Sequence, residues 1–302
     1  MFKIPNQSGK TAVVTGTGGI GYFVARALAA AGADVVIAGR NAEAGAKAAS
    51  DIHAAFPNAL IRFELLDLSD MESVNSFCGR VKKTLPSLDI LVCVAGQMMP
   101  DKLQTTKNGV EMQFAVNYLG HFALTAGLFP LLLSKQGARV VTTSSIASLP
   151  IRFDLRDAKA ERGYSASISY ALSKLCCLMF ALELAKRSEE NGWGIQACGT
   201  HPGFARTKLF CRSHGFIMTL LRCVFFIFPF IQQSAKHAAM PALFAATSPK
   251  AVSGQYYGPC ILGIMGPPCK ALVPLRAKKQ PLRAALWNLS VSLTGKDISK
   301  KL

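Results

Sequence analysis

The chain has 302 residues, half of them hydrophobic, and carries 34 Lys/Arg against 17 Asp/Glu. That length suits one large α/β domain or two small ones, and the apolar half is enough to bury a substantial core. The surplus of positive charge is uneven: from Thr200 onward there are fourteen basic residues and one acid, Asp297. Such a basic C-terminal third fits either a solvated surface or peripheral contact with an anionic membrane. No basic–aromatic interleaving or nucleic-acid motif accompanies it, which excludes nucleic acid as a partner.

The opening "MFKIPNQSGK" has no apolar h-region, so no secretory signal is read there. With nine cysteines in the chain, this points to a reducing, cytoplasmic setting. No CxxC or His/Cys ligand spacing occurs, so no metal site is expected. Cys176-Cys177 falls within an apolar helical pattern and reads as core.

In chain order, "TAVVT" (11–15), "ADVVIAG" (33–39), "LIRFELL" (60–66), "LDILVCV" (88–94), "ARVVTTS" (138–144) and "GIQACGT" (194–200) read as strands. They are rich in Val and Ile and mostly unbroken by charge, as strands buried on both faces should be. The intervals are long enough for crossover helices, which predicts a doubly wound parallel sheet flanked by helices. "SGQYYGPCIL" (253–262) adds a further strand, and "LRAALWNLSVSLTG" (282–295) reads as a closing helix ended by Gly295. No repeat or long linker divides the chain, so one domain is expected over 1–302. The most apolar stretch, "FIMTLLRCVFFIFPFI" (216–231), contains Arg222 and Pro229 and is too short to span a bilayer. It reads as core, as a surface helix dipping into a membrane, or as part of a substrate lid over about 204–235.

"TGTGGIG" (15–21) follows the first strand and opens an Ala-rich helix. Amides at a helix N-terminus lack intrahelical partners and sit at the positive end of the helix dipole, so they bind phosphate. Glycines there permit the tight turn and the close approach of a pyrophosphate. The second strand ends at Gly39-Arg40. In a βαβ dinucleotide site that position faces the adenosine ribose, where an acid favours the free 2′-hydroxyl and an arginine accommodates a 2′-phosphate. Arg40, with Asn41 beside it, therefore predicts NADP(H) as the preferred cofactor, with NAD(H) left open.

"YALSK" places Tyr170 and Lys174 on one side of a helix. A free phenol holds its proton too tightly to be a base at neutral pH. A neighbouring ammonium favours the phenolate, and Tyr170 could then exchange a proton with a substrate oxygen. Ser145, at the end of "ARVVTTSS", could hydrogen-bond the same oxygen.

The ordered set "TGTGGIG", Asp67-Leu68, Ala95-Gly96, "VNYLGHF", "SSIAS", "YALSK" and "HPGFARTKL" resembles the short-chain dehydrogenase/reductase superfamily over nearly the whole chain. "VNYLGHFALT", the spacing from Ser145 to Tyr170 and the tail "YYGP…ALWNLSVSLTG" resemble retinol-dehydrogenase-like and protochlorophyllide-reductase-like members most. The resemblance implies a single-domain Rossmann fold and hydride transfer between nicotinamide and a carbinol or carbonyl carbon. By position it implies Tyr170 as general acid/base, with Lys174 supporting it and holding the nicotinamide ribose. Ser145 would orient the carbonyl, and Asn117 would hold a water in a proton relay ending near Lys174.

For the cofactor, the resemblance implies Gly16, Gly19, Ile20 and Gly21 at the pyrophosphate and nearby ribose, with Thr17 in the same loop. Asp67 and Leu68 would border the adenine, Ala95 and Gly96 the adenosine ribose, and Pro202, Gly203 and Thr207 the nicotinamide. Tyr164 is a rival tyrosine, but four residues on stands Ile168, not lysine. The lid implies a lipophilic small-molecule substrate. Members of the family often pair through the helices at "VNYLGHF" and "YALSK", which leaves a homodimer open.

Two departures stand out. The glycine loop has one residue fewer than the usual TGxxxGIG, and the usual NNAG reads "CVAG" (93–96). A different-class reading also remains, a non-catalytic dinucleotide-binding sensor or membrane-surface scaffold. The retention of Asn117, Ser145, Tyr170 and Lys174 speaks against it.

Overall fold

The computed structural model describes residues 2–149, 163–206 and 233–298. Its strands are β1 (Thr11–Thr15), β2 (Asp34–Gly39), β3 (Ile61–Leu65), β4 (Ile90–Cys93), β5 (Arg139–Thr143), β6 (Gln196–Thr200), the two-residue β7 (Ala205–Arg206) and β8 (Gln233–Ser234), β9 (Tyr256–Ile261) and β10 (Met265–Lys270). Its main helices are α1 (Gly19–Ala30), α2 (Ala42–Ala55), α3 (Met71–Thr84), α4 (Met112–Leu133), α5 (Ala166–Glu190), α6 (Met240–Thr247) and α7 (Gln280–Thr294). One sheet runs β10-β9-β6-β5-β4-β1-β2-β3, and β7 pairs with β8 separately. All neighbours in the large sheet are parallel except β9 and β10. The sheet is the doubly wound one expected, and strand order reverses between β1 and β4, where such folds open a crevice.

Alternation along each strand explains the two helical layers. Val13, Val36, Leu91, Val140 and Ala197 face α3, α4, α5 and α7. Ala12, Val14, Val35, Ile37, Ile90, Val92, Val141 and Cys198 face α1, α2 and α6. Cys176 and Cys177 are core residues at 0% and 4% exposure, and burial pushes both thiols up.

The antiparallel strand β10 was not expected from sequence. "MGPPCK" carries no alternation of apolar and polar residues. It pairs with β9 through an irregular register between Met265 and Pro268. Its prolines suit an edge strand, since they leave few amides for a further strand to pair with.

Helices α4 and α5 are long and apolar enough to cross a membrane, yet in both the most apolar window is 89% buried inside the protein. They are core helices, apolar all round because sheet, neighbours and α7 enclose them. The closing helix ends as predicted, with Gly295 at φ +65°. It lies across α4 and α5: Trp287 packs 5.2 Å from Phe122 and 5.9 Å from Phe180 between ring centres. Tyr118 and Ser290 share a 2.5 Å hydrogen bond. Thr207 and the apolar segment 216–231 lie outside the described residues.

Candidate active site

The crevice at the strand-order reversal is a cleft of about 370 Å³. Of the predicted cofactor residues, Gly16, Thr17, Gly19, Ile20, Gly21, Arg40, Asn41, Asp67, Leu68, Ala95 and Gly96 line it. Its floor is the first turn of α1. Gly21 packs so closely there that a methyl group on it would meet the Gly16 carbonyl oxygen at 2.2 Å. Gly16 and Gly19 take φ +98° and +52°, a region other residues avoid. Thus the short loop closes through left-handed glycines, and Gly16 donates its N–H to Ala38 at 2.7 Å.

These residues fit a dinucleotide phosphate. The N-terminus of α1 has no side-chain cap, so no side chain of its N-cap residue occupies the first amides. Open space lies over Gly18. Arg40 is exposed at the rim. Asn41 is less free, since its Oδ1 accepts from Ala44 N at 2.8 Å.

Beyond Gly96 the cleft meets the proton-transfer candidates. A methyl group on Gly96 would lie 2.9 Å from Asn117 Oδ1 and 3.4 Å from Lys174 Nζ. Lys174, 4% exposed, donates to the Thr143 carbonyl at 3.0 Å and sits 6.0 Å from the centre of the Tyr170 ring. Tyr170 is 8% exposed. Of the serine pair, Ser144 is buried and donates to the Lys174 carbonyl at 2.7 Å, while Ser145 is partly exposed. Pro202 and Gly203 follow β6, where Gln233 Nε2 donates to the Pro202 carbonyl. Tyr164 stands apart, 3.4 Å from Gln113 Nε2. Burial, with the Glu111 carboxylate nearby, pushes its phenol up to about 12.

Asn117 lies in a π-helical turn, Ala115–Leu119, within α4. Its Oδ1 accepts from Gln97 N at 2.6 Å, and its Nδ2 donates to Gln97 O and Ser173 Oγ, both at 2.9 Å. Its carbonyl receives His121 Nδ1 at 2.9 Å and Cys177 Sγ at 3.1 Å. The polar atoms of the side chain are thus spent on Gln97 and Ser173. Sequence reasoning passed over Thr15, Gln97 and His121 here, although Thr15 opens "TGTGGIG" and His121 stands within "VNYLGHF".

Two histidines are neutral parts of this architecture. Burial pulls both His121 and His201 down to about 4. The unfolded chain protonates histidine near 6.5, so between those values it binds more protons than the fold, and acidification through that window favours unfolding. We expect the unfolding free energy to drop by about 2 kcal/mol per ring between pH 7 and pH 5. Urea titrations at the two pH values check this, and His201→Gln should remove its share of the loss. Equal midpoints for the wild type at both would contradict it.

Comparison with known proteins matches residues 10–214 to the short chain dehydrogenase family model. Mouse retinol dehydrogenase 12 is 36% identical over 288 residues, covering 95% of this chain and 87% of that protein. Human retinol dehydrogenase 13 is 34% identical over 295 residues, covering 95% and 85%. A solved structure of an uncharacterized protein from Mycobacterium paratuberculosis superposes with a TM-score of 0.80 at 32% identity, covering 98% of this chain and 97% of that one.

Proposed function

The chain belongs to the short-chain dehydrogenase family, and from that premise we propose that it moves hydride between NADP(H) and a lipophilic alcohol or carbonyl compound. The oxidoreductase class follows from the family. The observation that carries the finer reading is the convergence of Tyr170, Lys174 and Asn117 just beyond a phosphate-type cleft with Arg40 at its rim, with Ser145 next in sequence to the Ser144 that bonds the Lys174 carbonyl. Bound nicotinamide would supply the hydride acceptor or donor.

The chain's own residues would do the rest. Tyr170 exchanges a proton with the substrate oxygen, and Ser145 hydrogen-bonds that oxygen. Lys174 places its ammonium 6.0 Å from the centre of the Tyr170 ring. It also has N–H protons beyond the one given to Thr143, which can hold the ribose. Asn117 keeps the wall of the cleft in place through Gln97. Gly16, Gly19, Ile20 and Gly21 receive the pyrophosphate. Support for a lipophilic substrate is the apolar composition of 216–231 and the names of the retinol dehydrogenase relatives. Since α7 covers the outer side of α4 and α5, we read the chain as not pairing through those helices.

The test is NADPH consumption with retinoid, steroid, fatty and small aromatic carbonyl compounds, run beside cofactor binding. The wild type should consume NADPH with at least one lipophilic carbonyl and bind NADPH more tightly than NADH. Arg40→Asp should shift that ratio toward NADH by about 10–100-fold, the worth of one charge-assisted phosphate contact. An unchanged ratio in Arg40→Asp would remove Arg40 from the site, and no turnover with any class would favour the sensor reading.

A further inference from the structure

The turn that leaves β4, Val94 to Gln97, forms one wall of the cleft. Cys93 and Val94 bring it no carboxamide side chain, yet its backbone is held at both ends. Val94 N and Ala95 N donate to Thr15 Oγ1 at 2.9 and 3.0 Å. At the other end Gln97 is held by Asn117 through both its N–H and its carbonyl.

His121, 3% exposed, joins the two holds. Its Nε2 lies 2.9 Å from Thr15 Oγ1 and its Nδ1 2.9 Å from the Asn117 carbonyl oxygen. A carbonyl only accepts, so Nδ1 carries the proton. Nε2 of the neutral ring is then a bare acceptor, and the Thr15 hydroxyl donates to it. Both lone pairs of Thr15 Oγ1 are left for the two amides. Without the ring, the hydroxyl proton has only the Val92 carbonyl, 3.5 Å away.

We propose that His121 is a positioning residue of the cofactor cleft. It aims the Thr15 hydroxyl so that its lone pairs meet Val94 and Ala95, and it ties this contact to Asn117. The consequence reaches the glycine loop, because Ala95 backs directly onto Gly16: a methyl group on Gly16 would lie 3.5 Å from the Ala95 backbone. The inference rests on the reading of the cleft as a dinucleotide site.

Two variants separate the two halves of the ring. His121→Gln can set its carboxamide oxygen where Nε2 stood and keep the acceptor for Thr15. His121→Asn keeps only the donor to Asn117. In His121→Asn and in Thr15→Val, the NADPH dissociation constant should rise about tenfold, while His121→Gln and Thr15→Ser stay within about threefold. In the free protein, amide exchange at Val94 and Ala95 should quicken by about tenfold in the same two variants and not in the others. Nitrogen-15 spectra of the wild type should show His121 protonated at Nδ1.

A histidine that only packs would give variants with lower unfolding midpoints but unchanged NADPH affinity and unchanged exchange, and that result overturns the proposal. So does an equal loss in His121→Gln and His121→Asn. If neither histidine variant folds, Thr15→Val against Thr15→Ser still decides whether the hydroxyl holds the turn, and the nitrogen-15 spectrum of the wild type decides whether the ring aims it. A wild type that binds no nicotinamide dinucleotide refutes the reading of the cleft, while amide exchange and the protonation pattern still judge His121.

Discussion

Tyr170→Phe is expected to lower turnover by roughly 10²–10⁴-fold, the usual worth of a general acid/base, while leaving NADPH affinity within about threefold of wild type. The structure separates these effects. The Tyr170 ring is 8% exposed and packs at the start of α5, so phenylalanine keeps the packing. Among the described residues, removing the hydroxyl strands no donor or acceptor, and the fold should lose little. The cofactor cleft is lined by β1, α1 and the ends of β2, β3 and β4, and Tyr170 is not among its walls. Tyr164→Phe is the control and should retain turnover, because Tyr164 faces Gln113 and Ile168 stands where a lysine would be needed. Steady-state kinetics with NADPH titration decide the matter. More than about a tenth of wild-type turnover in Tyr170→Phe would mean that another group moves the proton.

Trp287→Ala should cost about 3–5 kcal/mol of stability, the range for deleting a buried large aromatic side chain. Trp287 is 2% exposed. It meets Phe122 of α4 and Phe180 of α5, and the Arg187 guanidinium lies 4.3 Å from its ring centre. The arginine is held in turn by Glu183, buried at 2% exposure, which also takes Arg283 of α7. Truncation therefore removes an aromatic cluster, a cation–π contact and the shielding of a buried ion pair. Urea unfolding measures the cost. A loss under about 1 kcal/mol would show that α7 is only loosely docked.

Both predictions depend on features of different legibility. Tyr170 and Lys174 were readable because a four-residue spacing within one helix settles that they share a side. Ser145 was readable because it closes "ARVVTTSS", two residues beyond the end of β5 at Thr143. Trp287 was readable only as part of a closing helix. That it lands on Phe122 and Phe180 depends on contacts more than a hundred residues apart, which no local pattern encodes. β10 was missed for a related reason: its prolines and glycine deny it a strand pattern, and pairing with β9 alone makes it a strand.

The sequence by itself determined the doubly wound sheet, the glycine turn at the head of α1, the arginine after β2 and the Tyr–Lys pair, all features written in periodicity or short spacing. The tertiary structure alone decided that His121 bridges Thr15 and Asn117, that Asn117 spends its polar side-chain atoms on Gln97 and Ser173, and that two helices apolar enough for a membrane are core. The physical reason is the same in each case. Hydropathy and spacing state what a segment must bury or can bond, but which partner satisfies it is set by the register of elements distant in sequence.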